Sequence, residues 1–212
     1  MPTNVMKMGI YSEVVVPRVV DLVCGSSAMF PWRKEVNAGL NGALLEIGFG
    51  SGTNVEFYPT SVTSAVAIEP SRTARRLALK KIAASPIAIS FAESDGSLIP
   101  FADGHFDCAL LSFTLCTVSD PIKLLGEVAR ALKPGAALHF LEHGIAPDIG
   151  VANWQRRIDP LEFRLAGGCS LTRDIVSVLA KADYRIVSLR QEYGSGPKPW
   201  SYISVGSAIP NR

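Results

Sequence analysis

The chain has 212 residues, 48% of them hydrophobic and 19% charged, with a formal net charge of +2. That length suits one domain with a large core, and so small a charge gives no electrostatic case for nucleic acid as a partner. Mean hydropathy is +0.23, on the apolar side, yet no uninterrupted apolar run approaches the ~20 residues of a membrane span.

From the amino end, the apolar stretch 14–23 is broken by Pro17, Arg18 and Asp21, and it lacks the basic start and small-residue cleavage site of a signal peptide. The chain is therefore read as cytoplasmic, with residues 1–40 as an N-terminal helical region. Within that region, Tyr11 and Arg33 are candidates to reach a cofactor or substrate.

Next comes a short apolar strand, 43–47, running into Gly48-Phe49-Gly50-Ser51-Gly52-Thr53. Glycines allow positive φ and let a backbone approach a ligand closely, and a helix beginning near Gly52 would aim free N–H groups at it. A dinucleotide-binding turn has its third glycine five positions after the first. Here Thr53 holds that place, and the acid Glu46 stands two residues before the first glycine. An acid there repels a pyrophosphate but suits an ammonium-bearing methionine moiety, directly or through water. A second strand, 65–69, ends in Glu69, whose two carboxylate oxygens can accept from two ribose hydroxyls. The combination reads as a site for S-adenosylmethionine.

A helix follows in which Ala74, Leu77, Ala78 and Ile82 face inward and Arg72, Arg75, Arg76, Lys80 and Lys81 form a solvated face. Strands are expected at 87–91, 107–112 and 136–141. Between the last two, Asp120 caps a helix with Pro121 in its first turn and an apolar stripe through Ile122, Leu125, Val128, Ala129 and Leu132. Lys133-Pro134-Gly135 stops it. The segment 144–170 is long for a connection and is read as a cap over the substrate pocket. A further helix is expected from about Thr172, then strands at 184–191 and 200–208 forming an antiparallel edge hairpin. Strands alternating with helices imply a parallel sheet covered on both faces. Cys24, Cys108, Cys116 and Cys169 show no metal-like spacing, so no metal site is expected and they are read as reduced thiols.

These residues together resemble the class I S-adenosylmethionine-dependent methyltransferases over nearly the whole chain. The matching stretches are 45–52, Ile68-Glu69-Pro70, 100–107 and Leu132-Lys133-Pro134-Gly135. Thr114-Leu115-Cys116-Thr117-Val118, Leu141-Glu142-His143-Gly144, Trp154-Gln155 and 168–173 are similar to a bacterial phospholipid-methyltransferase-like group and to animal alkyl-thiol methyltransferases. The resemblance implies a single Rossmann-like α/β domain over 1–212, with a seven-stranded sheet in the order 3-2-1-4-5-7-6. It implies cofactor contacts at Glu46, Gly48, Gly50, Gly52, Glu69 and Pro70. An adenine contact falls at Asp95 with Gly96 beside it, or at Glu93 in another register, and a wall near the methionine falls at Ser112 to Leu115. Ser170 stands where relatives often carry His or Asn.

Methyl transfer from a sulfonium is an in-line displacement, so the protein chiefly aligns the acceptor and shields the site. A thiol or phenol acceptor also has to lose a proton. His143, at the end of the fifth strand, is the candidate base, with a structural role as the alternative. Cys116, Trp154, Asp159, Trp200 and Tyr202 are the candidate substrate residues. The acceptor is expected to be a small lipophilic molecule, either a thiol or a phospholipid or other amine. A quinone or natural-product C- or O-methyltransferase shares every cofactor motif, and a non-catalytic cofactor-binding protein is the alternative of another class. Arg156, Arg157 and Arg164 face either solvent or anionic lipid headgroups, the second giving a peripheral membrane contact.

Overall fold

The computed structural model describes residues 13, 15–94 and 98–211. Seven apolar runs become strands: β1 (Gly42–Ile47), β2 (Val62–Ile68), β3 (Ala88–Ala92), β4 (Phe106–Ser112), β5 (Leu132–His143), β6 (Tyr184–Tyr193) and β7 (Tyr202–Pro210). They form one sheet in the order β3-β2-β1-β4-β5-β7-β6. The first five run parallel, while β7 lies antiparallel between β5 and β6. The parallel strands therefore finish at one edge, where Ile47, Ile68, Ala92, Ser112 and His143 hand the chain to the loops. Ligands of open α/β sheets bind outside such an edge.

Alternation along each strand sends side chains to two cores. Leu44, Leu110, Leu141 and Val205 meet Trp32 and Val36 of α2 (Phe30–Asn37), while Leu45, Ala109, Leu111 and Phe140 share a larger core with Leu124, Leu125 and Val128 of α4 (Pro121–Ala131). That larger core also takes Ile175 and Leu179 of α6 (Ile175–Lys181). Helix α3 (Arg72–Ala84) buries Ala78 against Phe49 and Ala67. Its amino end is capped by Ser71, whose hydroxyl accepts from the Ala74 N–H at 3.3 Å. Asp120 caps α4 in the same way, accepting from Lys123 N–H at 2.9 Å with Pro121 in the first turn. Among the described residues, no helix is long and apolar enough to cross a membrane.

Four features differ from the sequence expectation. No α-helix starts at Gly52; residues 51–54 are turns leading into a 3₁₀ turn, Val55–Phe57, because Pro59 forces Tyr58 into an extended conformation (φ −61°, ψ 126°). Helix α6 starts at Ile175 rather than near Thr172, since Asp174 is its cap and accepts from Ser177 N–H at 3.1 Å. Strand β5 begins already at Leu132, passing through Lys133-Pro134-Gly135 with Gly135 at φ +77°. Finally, the long segment 144–170 is mostly a helix, α5 (Ile149–Leu165), which carries Pro160 in its interior. The N-terminal helical region contains α1 (Val16–Cys24) and α2, and the β6–β7 connection contains the short α7 (Lys198–Ser201).

Candidate functional site

The turn after β1 has Gly48, Gly50 and Gly52 all at positive φ, +72°, +57° and +72°. Space gives each a different reason to be glycine. A Cβ at Gly48 would stand 2.0 Å from Thr114 Oγ1, and one at Gly52 would meet Phe49 and Ala78 at 3.2 and 3.4 Å. Among the described residues a Cβ at Gly50 would meet nothing closer than the Gly48 carbonyl at 3.9 Å, so they leave this face open to a ligand. Glu69 lies across the same turn: its Oε2 accepts from Gly50 N–H and its Oε1 from Ser71 N–H, both at 2.8 Å. Burial raises the Glu69 pKa, opposed by those two N–H donors and by Arg75. Pro70, next along, is exposed.

Glu46 is fully buried behind the turn. Its carboxylate accepts from Asn54 Nδ2 at 2.7 Å and from the Tyr58 hydroxyl. Asn54 also donates to Ser112 Oγ at 3.1 Å and accepts from Arg33 Nη1 at 2.6 Å. Arg33 in turn holds the Cys24 carbonyl at the end of α1 through Nη2 at 2.8 Å. Burial pushes the Glu46 pKa up to about 7 against the pull of Tyr58, Asn54 and Arg33. Both oxygens are thus engaged, and Glu46 is tied through Asn54 to Arg33. Asn54 and Tyr58 were not singled out in the sequence, where they fall in the expected helix. A cleft of about 370 Å³ opens beside the turn, lined by Asp21, Gly25, Phe30, Arg33, Thr53 and Lys81.

At the neighbouring strand ends, the loop after β4 is folded around Glu142. This fully buried carboxylate accepts from the N–H groups of Thr114 at 2.8 Å, Leu115 at 2.9 Å and Cys116 at 3.3 Å. Phe113 adopts φ +54°, rare for a bulky residue. Leu115 has no exposed surface and packs into the larger core, so its side chain is not part of an open wall; Ser112 is the partner of Asn54.

The loop also brings Cys116 to His143 and Cys169. His143 Nε2 lies 2.8 Å from Cys169 Sγ, and the two sulfurs are 3.6 Å apart. The Cys169 S–H, then His143, pull the Cys116 thiol well below its usual pKa against the opposing burial. The same bond pushes the Cys169 thiol up. Burial works to lower the His143 pKa, but the Cys116 sulfur together with the Glu162 and Asp159 carboxylates outweighs it and the net shift is upward. This grouping was invisible in the cysteine spacing, because Cys169 is 53 residues from Cys116 and 26 from His143.

The remaining candidates are dispersed. Asp159 buckles the turn after α5, accepting from Leu171 N–H at 2.6 Å and Ser170 Oγ at 3.1 Å. Trp154 is 58% exposed, with Arg157 5.8 Å over its ring, and Trp200 is 45% exposed; neither lines an enclosed pocket. Tyr202 stacks edge-on against Tyr193 at 5.2 Å. Glu93 pairs with Arg75 at 2.5 Å. Tyr11, Asp95 and Gly96 lie outside the described residues.

Compared with known proteins, residues 45–140 match the methyltransferase domain family. Rat thiol S-methyltransferase TMT1B is 32% identical over 173 residues, which is 78% of this chain and 68% of that protein. The chain thus spans about two thirds of this relative's length. Demethylmenaquinone methyltransferase of Renibacterium salmoninarum is 33% identical but over only 52% of this chain and 47% of its own. Among solved structures, a SAM-dependent methyltransferase of Methanosarcina mazei shares the fold with a TM-score of 0.60 at 22% identity, covering 80% of this chain and 93% of that one.

Proposed function

The chain belongs to the S-adenosylmethionine-dependent methyltransferases, and we propose that it is one whose acceptor is a small lipophilic thiol. The observation that carries the choice of acceptor is the extent of likeness. Similarity to a thiol S-methyltransferase runs over 78% of the chain, well beyond residues 45–140, whereas similarity to the quinone enzyme stops at 52%. The cofactor motifs are common to both, so the acceptor side distinguishes them.

Gly50 leaves the approach for the cofactor's methionine end, Glu69 takes the ribose hydroxyls by exchanging its present backbone donors, and Glu46 fixes Asn54 and Arg33 toward the amino acid portion. S-adenosylmethionine supplies an activated methyl group when bound. The chain's task is then to exclude water, align the acceptor sulfur and deal with its proton. His143 is not free to act as a solitary base through Nε2, which is committed to Cys169 at 2.8 Å. It works with the two cysteines. Leu22 on α1, an exposed apolar residue that lines the cleft beside the glycine turn, suits a lipophilic acceptor.

The test is a methyl-transfer assay with mass-spectrometric product detection across an alkyl thiol, a phospholipid amine, a phenol and demethylmenaquinone. Thioether formation from the alkyl thiol as the preferred reaction is expected. Preferred C-methylation of the quinone would replace this reading.

A further inference from the structure

We propose that Cys116, Cys169 and His143 form a site for a thiophilic divalent cation of the zinc class, whose fourth coordination position takes the acceptor thiolate. Their ligand atoms all lie within 4.8 Å of one another. Tetrahedral zinc with two sulfurs and one imidazole nitrogen holds its sulfurs about 3.8 Å apart and sulfur and nitrogen about 3.5 Å apart. The observed 3.6 Å between the sulfurs and 2.8 Å between Cys169 Sγ and His143 Nε2, with no pair of ligand atoms further apart than 4.8 Å, depart from that arrangement by no more than about 1.3 Å.

The three ligands come from three elements, and the backbone has already brought them together. Glu142 gathers the N–H groups of 114–116, which fixes Cys116. Ser170 N–H donates to the Cys116 carbonyl at 2.9 Å, fastening the Cys169 turn to the Cys116 loop, and Arg173 Nη1 holds the carbonyls of Leu115 and Val118, each at 2.7 Å. Gly168, at φ +93°, permits the contact: a Cβ there would sit 3.3 Å from the Thr117 carbonyl. A site preorganised by packing and outer hydrogen bonds is what metal binding requires. The alternative, cysteines as small apolar filler, does not account for an imidazole nitrogen set 2.8 Å from one of the two paired sulfurs. Among the described residues His143 Nδ1, on the far side of the ring, is buried with no hydrogen-bond partner, the position an outer water fills in a histidine-ligated site.

Charge favours the same cation. Two thiolates and a neutral imidazole offset a dication, so the metal-loaded site is neutral and can stay buried, the acceptor thiolate adds one negative charge that its methylation removes, and all described cysteines are free to serve. Three protein ligands with one open position is the arrangement of reactive rather than purely structural zinc. The catalytic part of the inference rests on the thiol reading above. On coordination the acceptor S–H releases its proton to solvent. A lone pair of the bound sulfur forms the new S–CH3 bond as the methyl–sulfonium bond breaks, its electron pair leaving with S-adenosylhomocysteine. The product is a neutral thioether, a weaker ligand than a thiolate, and it departs.

The experiment uses the full chain, reduced and stripped with a chelator, then titrated with Zn²⁺ against a chromophoric chelator and separately with Co²⁺. One equivalent of either metal should bind. Cobalt should give thiolate-to-metal charge-transfer and tetrahedral ligand-field bands, and adding an alkyl thiol should shift them, a readout that needs no variant. C116S and C169S should weaken the metal by more than about 100-fold, beyond the loss expected for an outer-shell partner, with S-adenosylmethionine affinity by calorimetry as the check on folding. No stoichiometric metal in the reduced parent, or metal affinity untouched by both substitutions, overturns the site; so does a Cys116–Cys169 disulfide forming in place of metal binding. Alkyl-thiol methylation at full rate by stripped protein overturns the metal's part in the reaction while leaving the thiol reading intact. A loaded metal site in a protein that methylates no thiol refutes the thiol reading instead.

Discussion

The two halves of the sheet edge hold their carboxylates in opposite ways. On the cofactor side, Glu69 reaches across the glycine turn from the neighbouring strand and grips backbone that a ligand can displace. On the acceptor side, Glu142 is sealed inside its loop, where three backbone N–H groups donate to its two oxygens. The first arrangement is an exchangeable one, suited to binding and release of a cofactor. The second is enclosed, and it holds Cys116 beside His143 and Cys169.

The sharpest way to break that division is where the halves touch. Gly48→Ala puts a methyl group against Thr114 Oγ1 at a position with φ +72°. Left-handed strain and overpacking together should cost about 2–5 kcal/mol, seen as a fall in Tm of roughly 5–20 °C for a domain of this size, with cofactor and thiol binding both impaired.

A second prediction uses pH to separate folding from binding. Glu46 is raised by burial to about 7 in the folded protein, above its ordinary value of 4.5. Its contribution to stability is therefore full below about pH 4.5 and is lost as pH rises through 7, an effect of about 3 kcal/mol. Attraction for a cationic amino group has the opposite sign, since it needs the ionised carboxylate. S-adenosylmethionine affinity, measured by calorimetry from pH 6 to 8, should rise while chemical-denaturation stability of the unliganded protein falls, and Glu46→Gln should flatten both.

The cofactor half was legible because its parts are contiguous: a strand, a turn with three glycines, and an acid seventeen residues on. The strand order followed from a resemblance carried by those same stretches. What escaped was what the fold alone brings together. Asn54 and Tyr58 lay in an expected helix that Pro59 prevents, so their turn toward Glu46 had no periodic signal. Cys116, His143 and Cys169 meet only because β4 and β5 are neighbours and α5 returns the chain to the same edge. Trp154 looked like a pocket residue by type, but it lies on the outer face of that helix.

Two smaller effects sharpen the comparison. Glu142→Gln turns an amide toward an N–H donor in a sealed pocket and should cost about 1–3 kcal/mol of stability; the Michaelis constant for thiol should rise with that for cofactor unchanged. Trp154→Ala, at an exposed position, should move stability by no more than about 0.5 kcal/mol, and any kinetic effect should be confined to long-chain acceptors, read from KM along an alkyl-thiol series.

The separation of the two halves is tested most directly by transfer of a labelled methyl group from S-adenosylmethionine to an alkyl thiol in Glu69→Ala and Cys116→Ser. Glu69→Ala should weaken the cofactor by about 1.5–3 kcal/mol, through lost charge-assisted ribose bonds, and leave the thiol KM unchanged. Cys116→Ser should raise the thiol KM or lower kcat while cofactor affinity stays at the parent value. If both variants impair cofactor and thiol binding together, or if Glu69→Ala leaves cofactor affinity intact in a folded protein, the two-sided account is wrong.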